Sequence, residues 1–110
     1  MARLALYGTL RKGAANHHVV AGIAGDWRVG VVRGWTYEVT WGAAAGYPGL
    51  TLDPDGSAVP VDVLDSGDLD RHLDRLDRFE GEGYRRVVTT VRLESGDEVD
   101  AWVYEAITDV

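Results

Sequence analysis

Leu76-Asp77-Arg78-Phe79-Glu80-Gly81, with Tyr84-Arg85-Arg86 close behind, is the stretch in which this chain changes its period. Upstream, Leu69, Leu73, Leu76 and then Phe79 or Glu80 recur at intervals of four, three and three, the spacing of one helical face. Asp65 or Ser66 is placed to cap that helix, Asp74 and Arg78 stand four apart as a weak pair, and Gly81 and Gly83 end it. Downstream, Tyr84–Leu93 and Glu98–Glu105 read as two long strands joined by the turn Ser95-Gly96-Asp97. A helix that finishes on a carboxylate therefore runs into a C-terminal hairpin.

The rest of the chain is strand and turn. Leu4 and Leu6 alternate against Arg3, Ala5 and Tyr7, a β signal that Gly8-Thr9 ends. Residues 11–21 read as a polar connection. Residues 28–39, rich in Val, Trp, Thr and Tyr but interrupted by Gly30 and Gly34, read as one or two strands. Residues 41–50 read as loop, with Pro48-Gly49 in a type II turn, and Leu52-Asp53-Pro54-Asp55-Gly56 as a second turn. Val59, Val61 and Val63 alternate in another strand, which Pro60 places at an edge or bulge. Five or six strands with one main helix before the C-terminal hairpin predict an α+β fold, a small mixed β-barrel or strongly bent sheet.

The chain has 110 residues, the length of a single domain, residues 1–110, able to bury a core without staples. It has no cysteine, hence no disulfide framework, thiolate metal site or cysteine nucleophile. Eleven basic against eighteen acidic residues, a net charge of −7, argue against nucleic acid and anionic membrane as partners. Nothing approaches the ~20 apolar residues of a membrane helix, and Met1-Ala2-Arg3-Leu4 does not open a signal peptide. The expected location is the cytoplasm. The sequence sets no oligomeric state.

Leu6-Tyr7-Gly8-Thr9-Leu10-Arg11 is a strand ending in a glycine turn, where backbone amides become free to bind an anion or a carbonyl oxygen. With a helix-terminal carboxylate, that makes two parts of an acyl-transfer site. Glu82 is a second candidate for the base but falls in the glycine-flanked turn. Adjacent His17 and His18 point apart and lack metal-ligand spacing. Acids from Asp65 to Asp77 interleaved with Arg71, Arg75 and Arg78 read as a solvated helix face. Trp27, Trp35, Trp41 and Trp102 read as core or cavity wall. Arg11 and Arg86 can grip a carboxylate or simply lie on the surface.

The Leu6–Arg11 segment resembles the N-terminal signature of the gamma-glutamylcyclotransferase-like superfamily, in its gamma-glutamylamine cyclotransferase-like branch. Gly13 with Asn16-His17, Tyr47-Pro48-Gly49-Leu50, Leu76–Gly81 with Tyr84 and Arg86, and the closing strand Ala101-Trp102-Val103-Tyr104 are similar to later segments of that pattern, in order and at sensible spacing. One departure stands out. Members commonly carry a Val-x-Gly-Glu-x-Tyr-like strand, where this chain reads Val59-Pro60-Val61-Asp62-Val63-Leu64, without the glycine and tyrosine and with a shorter acid. That change falls on the expected cavity wall and bears on substrate more than on fold.

The resemblance implies a small mixed barrel with an internal cavity and a cofactor-independent cyclotransfer, in which a γ-glutamyl amide yields 5-oxoproline and a free amine. It implies Tyr7, Gly8, Thr9 and Leu10 as substrate-binding residues and Glu80 as the catalytic residue that moves the proton. Arg11, Tyr84 and Tyr104 are possible cavity residues, although aromatics on strands read first as packing. No metal or cofactor is implied; the partner is a small γ-glutamyl substrate. The substrate's own α-amine is the nucleophile, which suits a chain without cysteine or a Gly-x-Ser-x-Gly elbow. Two alternatives stand beside it: removal of a γ-glutamyl group from a larger biosynthetic intermediate, and a barrel that binds a small ligand without turning it over.

Overall fold

The computed structural model describes residues 2–40 and 46–107. Its strands are β1 (Arg3–Leu6), β2 (Asp26–Glu38), β3 (Pro48–Leu52), β4 (Ser57–Asp65), β5 (Tyr84–Leu93) and β6 (Glu98–Ala106). They lie in the order β3-β2-β4-β1-β6-β5, and β2 pairs again with β5, so that five strands close a barrel and β3 is added at its side. β1 runs parallel to β6 and antiparallel to β4, which makes the barrel mixed.

Closure rests on the rungs Gly30↔Leu93 and Val31↔Arg92. A Cβ on Gly30 would stand 2.7 Å from the Arg92 carbonyl oxygen, so only a residue without one lets the two strands meet there. This is why Gly30 does not split β2, which runs unbroken through thirteen residues.

Strand alternation sorts the apolar residues into two cores. Ala5, Val59, Val61, Val63, Val91, Ala101 and Val103 fill the barrel. Leu4, Leu6, Leu64 and Tyr104, on the opposite faces of their strands, meet Leu10, Val20, Ile23, Leu69 and Leu76 in a second core outside it. The helices belong to that outer layer: a single turn α1 (His18–Ala21) and the main helix α2 (Leu73–Glu80). Among the described residues no helix is long and apolar enough to cross a membrane.

Four local expectations are corrected. Residues 11–21 are not all loop, because Val20 and Ile23 are buried and draw in the turn α1. Pro48-Gly49 opens strand β3 instead of turning, with Glu38↔Pro48 as its first rung; at the first position of an added strand a proline's missing N–H is tolerated. The helix does not start at Asp65 or Ser66. Asp65 is held in β4 by ladders to Arg3 and Asp26 and by the Arg3 guanidinium at 3.1 Å. Ser66 instead donates to the Ala24 carbonyl and accepts from the Asp68 amide, and a 3-10 turn at Leu69–Arg71 precedes α2. Asp74 and Arg78 form no ion pair among the described residues; Arg71 pairs with Asp68.

Pro60 meets its expectation in a specific way. β1 covers β4 only from Asp62 to Asp65, so Pro60 lies on the part of β4 that pairs with β2 alone.

Candidate active site

Where β1 ends, the chain turns through Gly8–Leu10 and meets the C-terminal end of α2 across a cavity of about 350 Å³. Ala5, Leu6, Tyr7, Thr9, Leu10, Asn16, Tyr47, Pro48, Phe79, Glu80, Gly81, Tyr84 and Tyr104 line it. Of the residues singled out from sequence, Tyr7, Thr9, Leu10, Glu80, Tyr84 and Tyr104 thus share one cavity. Gly8 and Arg11 are not among its lining residues, and Arg11 is turned to Asp62. Trp41 lies outside the described residues.

The turn has a steric reason to be built on glycine. Gly8 has φ +71°, and a Cβ there would lie 2.7 Å from Cγ of Pro48. Pro48 presses on the turn from β3 and also lines the cavity. Among the described residues, the amides of Gly8 and Thr9 donate to no protein acceptor. Asn16 Nδ2 donates to Thr9 Oγ1 at 3.2 Å, which leaves the Thr9 hydroxyl proton available. This end of the cavity therefore offers donors.

The opposite end offers acceptors. Tyr7 donates to the Tyr104 carbonyl at 2.6 Å, Tyr84 to the Pro48 carbonyl at 2.5 Å, and Tyr104 to Asp77 Oδ1 at 2.7 Å. Each phenol proton is committed to the protein, so the Tyr84 and Tyr104 oxygens meet a ligand with lone pairs, while that of Tyr7 also takes a backbone hydrogen bond from Leu50. Burial, first of all, raises all three phenol pKa values, that of Tyr84 to about 12, and the nearby Glu80 charge adds to each. They remain neutral at physiological pH.

Glu80 is the titratable centre of this group. Burial pushes its pKa from 4.5 up to about 7. A carboxylate so tuned can take and return a proton near neutrality. Glu82, by contrast, is exposed and lies on a shallow depression beyond Gly81.

A second set of residues fixes the acceptor end. Arg86 donates from Nε and Nη2 to the two Asp77 oxygens, at 2.9 and 3.2 Å, and its guanidinium lies 4.2 Å from the centre of the Trp102 ring. The Arg86 hydrogen bonds hold the Asp77 carboxyl below its usual pKa. Asp77 sits one helical turn before Gly81, so the fork ties the end of α2 to β5 and, through Tyr104, to β6. Arg86 is thereby committed within the protein.

Asp62, the shorter acid of the departing strand, does a related job at the donor end. It is buried, accepts the Lys12 amide at 2.9 Å and Arg11 Nη2 at 3.3 Å, and anchors the chain as it leaves the glycine turn. No residue of Val59–Leu64 is among those lining the cavity. The departure thus falls beneath the turn, not on the cavity wall.

Sequence reasoning did not place Phe79, Tyr47, Pro48 and Asn16 at the cavity. Phe79 stood in the helix's apolar series, yet it is 46% exposed, at the cavity edge. Trp35, expected as core or wall, is 49% exposed and donates to Asp53. No cluster of three His, Asp or Glu suited to a metal ion occurs among the described residues.

A closed mixed barrel with a glycine turn facing a half-buried helix-terminal glutamate defines a recognisable class. The family described as gamma-glutamyl cyclotransferase, AIG2-like, matches residues 4–109, and the chain belongs to it. Among curated proteins none matches the sequence. Among solved structures, an AIG2-like protein from Mus musculus is 27% identical with a TM-score of 0.71, over 100% of this chain and 80% of that one. YkqA from Bacillus subtilis is also 27% identical with a TM-score of 0.71, over 96% of this chain but 35% of that one. An uncharacterised protein from Pyrococcus horikoshii is 22% identical with a TM-score of 0.67, over 99% and 80%, and shows the fold alone.

Proposed function

We propose that this chain is a cofactor-independent cyclotransferase that cleaves a γ-glutamyl amide to 5-oxoproline and a free amine. The observation that carries the reading is Glu80, poised near neutrality in a cavity whose one end donates and whose other end accepts. Family membership supports the reaction class.

A γ-glutamyl group is a zwitterion with an amide at its far end. The acceptor end, Glu80 and the phenol oxygens of Tyr84 and Tyr104, suits its α-ammonium. The donor end, the Thr9 amide and hydroxyl, suits its carboxylate and the γ-carbonyl oxygen. Glu80 takes a proton from the α-ammonium. The freed amine attacks the γ-carbonyl carbon and forms the five-membered ring, with negative charge on the carbonyl oxygen. The protonated Glu80 then gives its proton to the scissile nitrogen, the C–N bond breaks as the carbonyl re-forms, and the second proton of the new ring nitrogen passes through the restored carboxylate to the departing amine, which leaves as an ammonium. No water is consumed. Holding the substrate folded supplies part of an advantage worth up to ~7–11 kcal/mol in well-oriented intramolecular reactions.

The test is mass-spectrometric detection of 5-oxoproline from a panel of γ-glutamyl amines and peptides, with wild type and Glu80→Gln side by side. The reading expects product from wild type, none from the variant, and similar ligand affinity in both. Turnover by Glu80→Gln at the wild-type rate would refute the assignment of the base. Absence of turnover in both proteins, with weaker binding to the variant, would make the barrel a ligand-binding module.

A further inference from the structure

We infer that Glu105, which lies outside the cavity, is a positioning residue: its carboxylate holds the free edge of β3 against the barrel, and through β3 it fixes the wall that Tyr47 and Pro48 give the cavity. This role holds whatever small molecule the cavity takes, and so does not depend on the cyclotransferase reading.

β3 is an edge strand, with β2 on one side and, among the described residues, no strand on the other. The Val39 amide donates to the Tyr47 carbonyl and the Asp53 amide to that of Arg33, so the odd-numbered residues turn their backbone groups to β2. Pro48, Leu50 and Leu52 turn theirs the other way. An edge of this kind ordinarily meets water or another strand. Here it meets three side chains from remote parts of the chain. Tyr84 donates to the Pro48 carbonyl at 2.5 Å, the Leu50 amide donates to the Tyr7 oxygen, and the Leu52 amide donates to Glu105 Oε2 at 2.9 Å. Pro48 has no amide proton, so both outward N–H groups of β3 end on side chains.

Two of these three struts, Tyr7 and Tyr84, line the cavity themselves. Glu105 does not, and it stands in an unusual place for an acid. Alternation along β6 puts it on the face of Ala101 and Val103, which fill the barrel, and its side chain is only 13% exposed. A carboxylate there is costly unless it is bonded. Both its oxygens are bonded: Oε2 takes the Leu52 amide, and Oε1 pairs at 3.2 Å with Arg85, its register partner on β5. An apolar residue would suit the face but leave the Leu52 amide without an acceptor.

The path from Glu105 to the site is short. Leu52 and Pro48 are the two ends of β3, and Pro48 presses on the Gly8 turn. With Leu52 released, β3 keeps its ladder to β2 but lifts from the barrel. Leu50 then parts from Tyr7, and water reaches the space beside Glu80.

Amide hydrogen exchange and a carbon-13 NMR titration of the Glu80 carboxyl read this wall directly and need no substrate. In Glu105→Ala, exchange at Leu52 and also at Leu50 should accelerate about tenfold or more, the scale of one charge-assisted hydrogen bond, while Val63 in β4 exchanges as before. The Glu80 midpoint should fall from about 7 toward 4.5, by about one pH unit. Glu105→Gln keeps an oxygen for the Leu52 amide and should restore both readings to near wild type. Faster exchange at Leu52 alone, with Leu50 and the Glu80 midpoint unchanged, would overturn the inference, and so would uniform acceleration across the barrel. If Glu80 titrates in wild type as an ordinary carboxylate, its assignment as the base fails, whereas exchange at Leu50 still decides the role of Glu105. Should Glu105→Ala not fold, Glu105→Val, matching the valines that fill the barrel, takes its place with the same expected outcomes.

Discussion

Replacing Glu80 with glutamine should make the protein inactive and, above neutral pH, more stable. The carboxyl has an unfolded-state pKa of 4.5 and a folded-state pKa raised to about 7 by burial. Well below the lower value both states are protonated, and the site costs nothing. Between the two values the unfolded chain releases its proton while the folded protein keeps it, so folding stability falls as pH rises. Above the folded value the full penalty is present. A difference of about 2.5 units at ~1.36 kcal/mol each amounts to about 3 kcal/mol. Glutamine has nearly the same shape and no charge, and so escapes the penalty at every pH. The variant should exceed wild type by about 1 kcal/mol at about pH 5.5 and by about 3 kcal/mol at about pH 8.5. Urea unfolding followed by far-ultraviolet circular dichroism at those two pH values measures the difference. A gain independent of pH, or a loss at the higher pH, would refute the claim that Glu80 is held in a poorly solvated site.

The same protonation should appear in kinetics: kcat/KM should rise with pH to a plateau through an apparent pKa of about 7, because the base must begin deprotonated. A limb near the ordinary carboxylate value would contradict this. Gly8→Ala puts a methyl 2.7 Å from Pro48 at φ +71° and should cost about 1–3 kcal/mol in urea unfolding, with product formation falling further than stability. Asp77→Asn weakens the fork to Arg86 and the anchor of Tyr104, and should cost about 1–2 kcal/mol. Arg86→Lys should behave like Asp77→Asn, since an ammonium cannot make the paired contact.

The elements read well from sequence are those decided by local chemistry. The β5–β6 hairpin follows from alternation and a Ser-Gly-Asp turn, and its strands begin where expected. The misreadings come from partners remote in sequence. Asp65 is a good helix cap taken by itself; Arg3 and Asp26 make it a strand residue. Pro48-Gly49 is a good turn taken by itself; the end of β2 makes it a strand. The site divides in the same way. Glu80 and the glycine turn carry their chemistry in short motifs. The direction of the tyrosine protons depends on pairs such as Tyr7 with the Tyr104 carbonyl, 97 residues apart, and no local pattern announces them. Phe79 fits the helical period and is nevertheless open at the cavity edge.

The place of β1 in the barrel has a consequence for how this protein comes into being on the ribosome. Leu4 pairs with Leu64 on one side and Trp102 on the other, so the opening strand lies between two that are synthesised much later. Until β6 has emerged, the segment that carries Tyr7, Gly8 and Thr9 has one neighbour at most. The cavity is therefore among the last features completed during vectorial synthesis, and a chain released before β6 lacks it altogether. Whatever the cavity does therefore waits on the C-terminal hairpin, which supplies Tyr84 and Tyr104 to its lining.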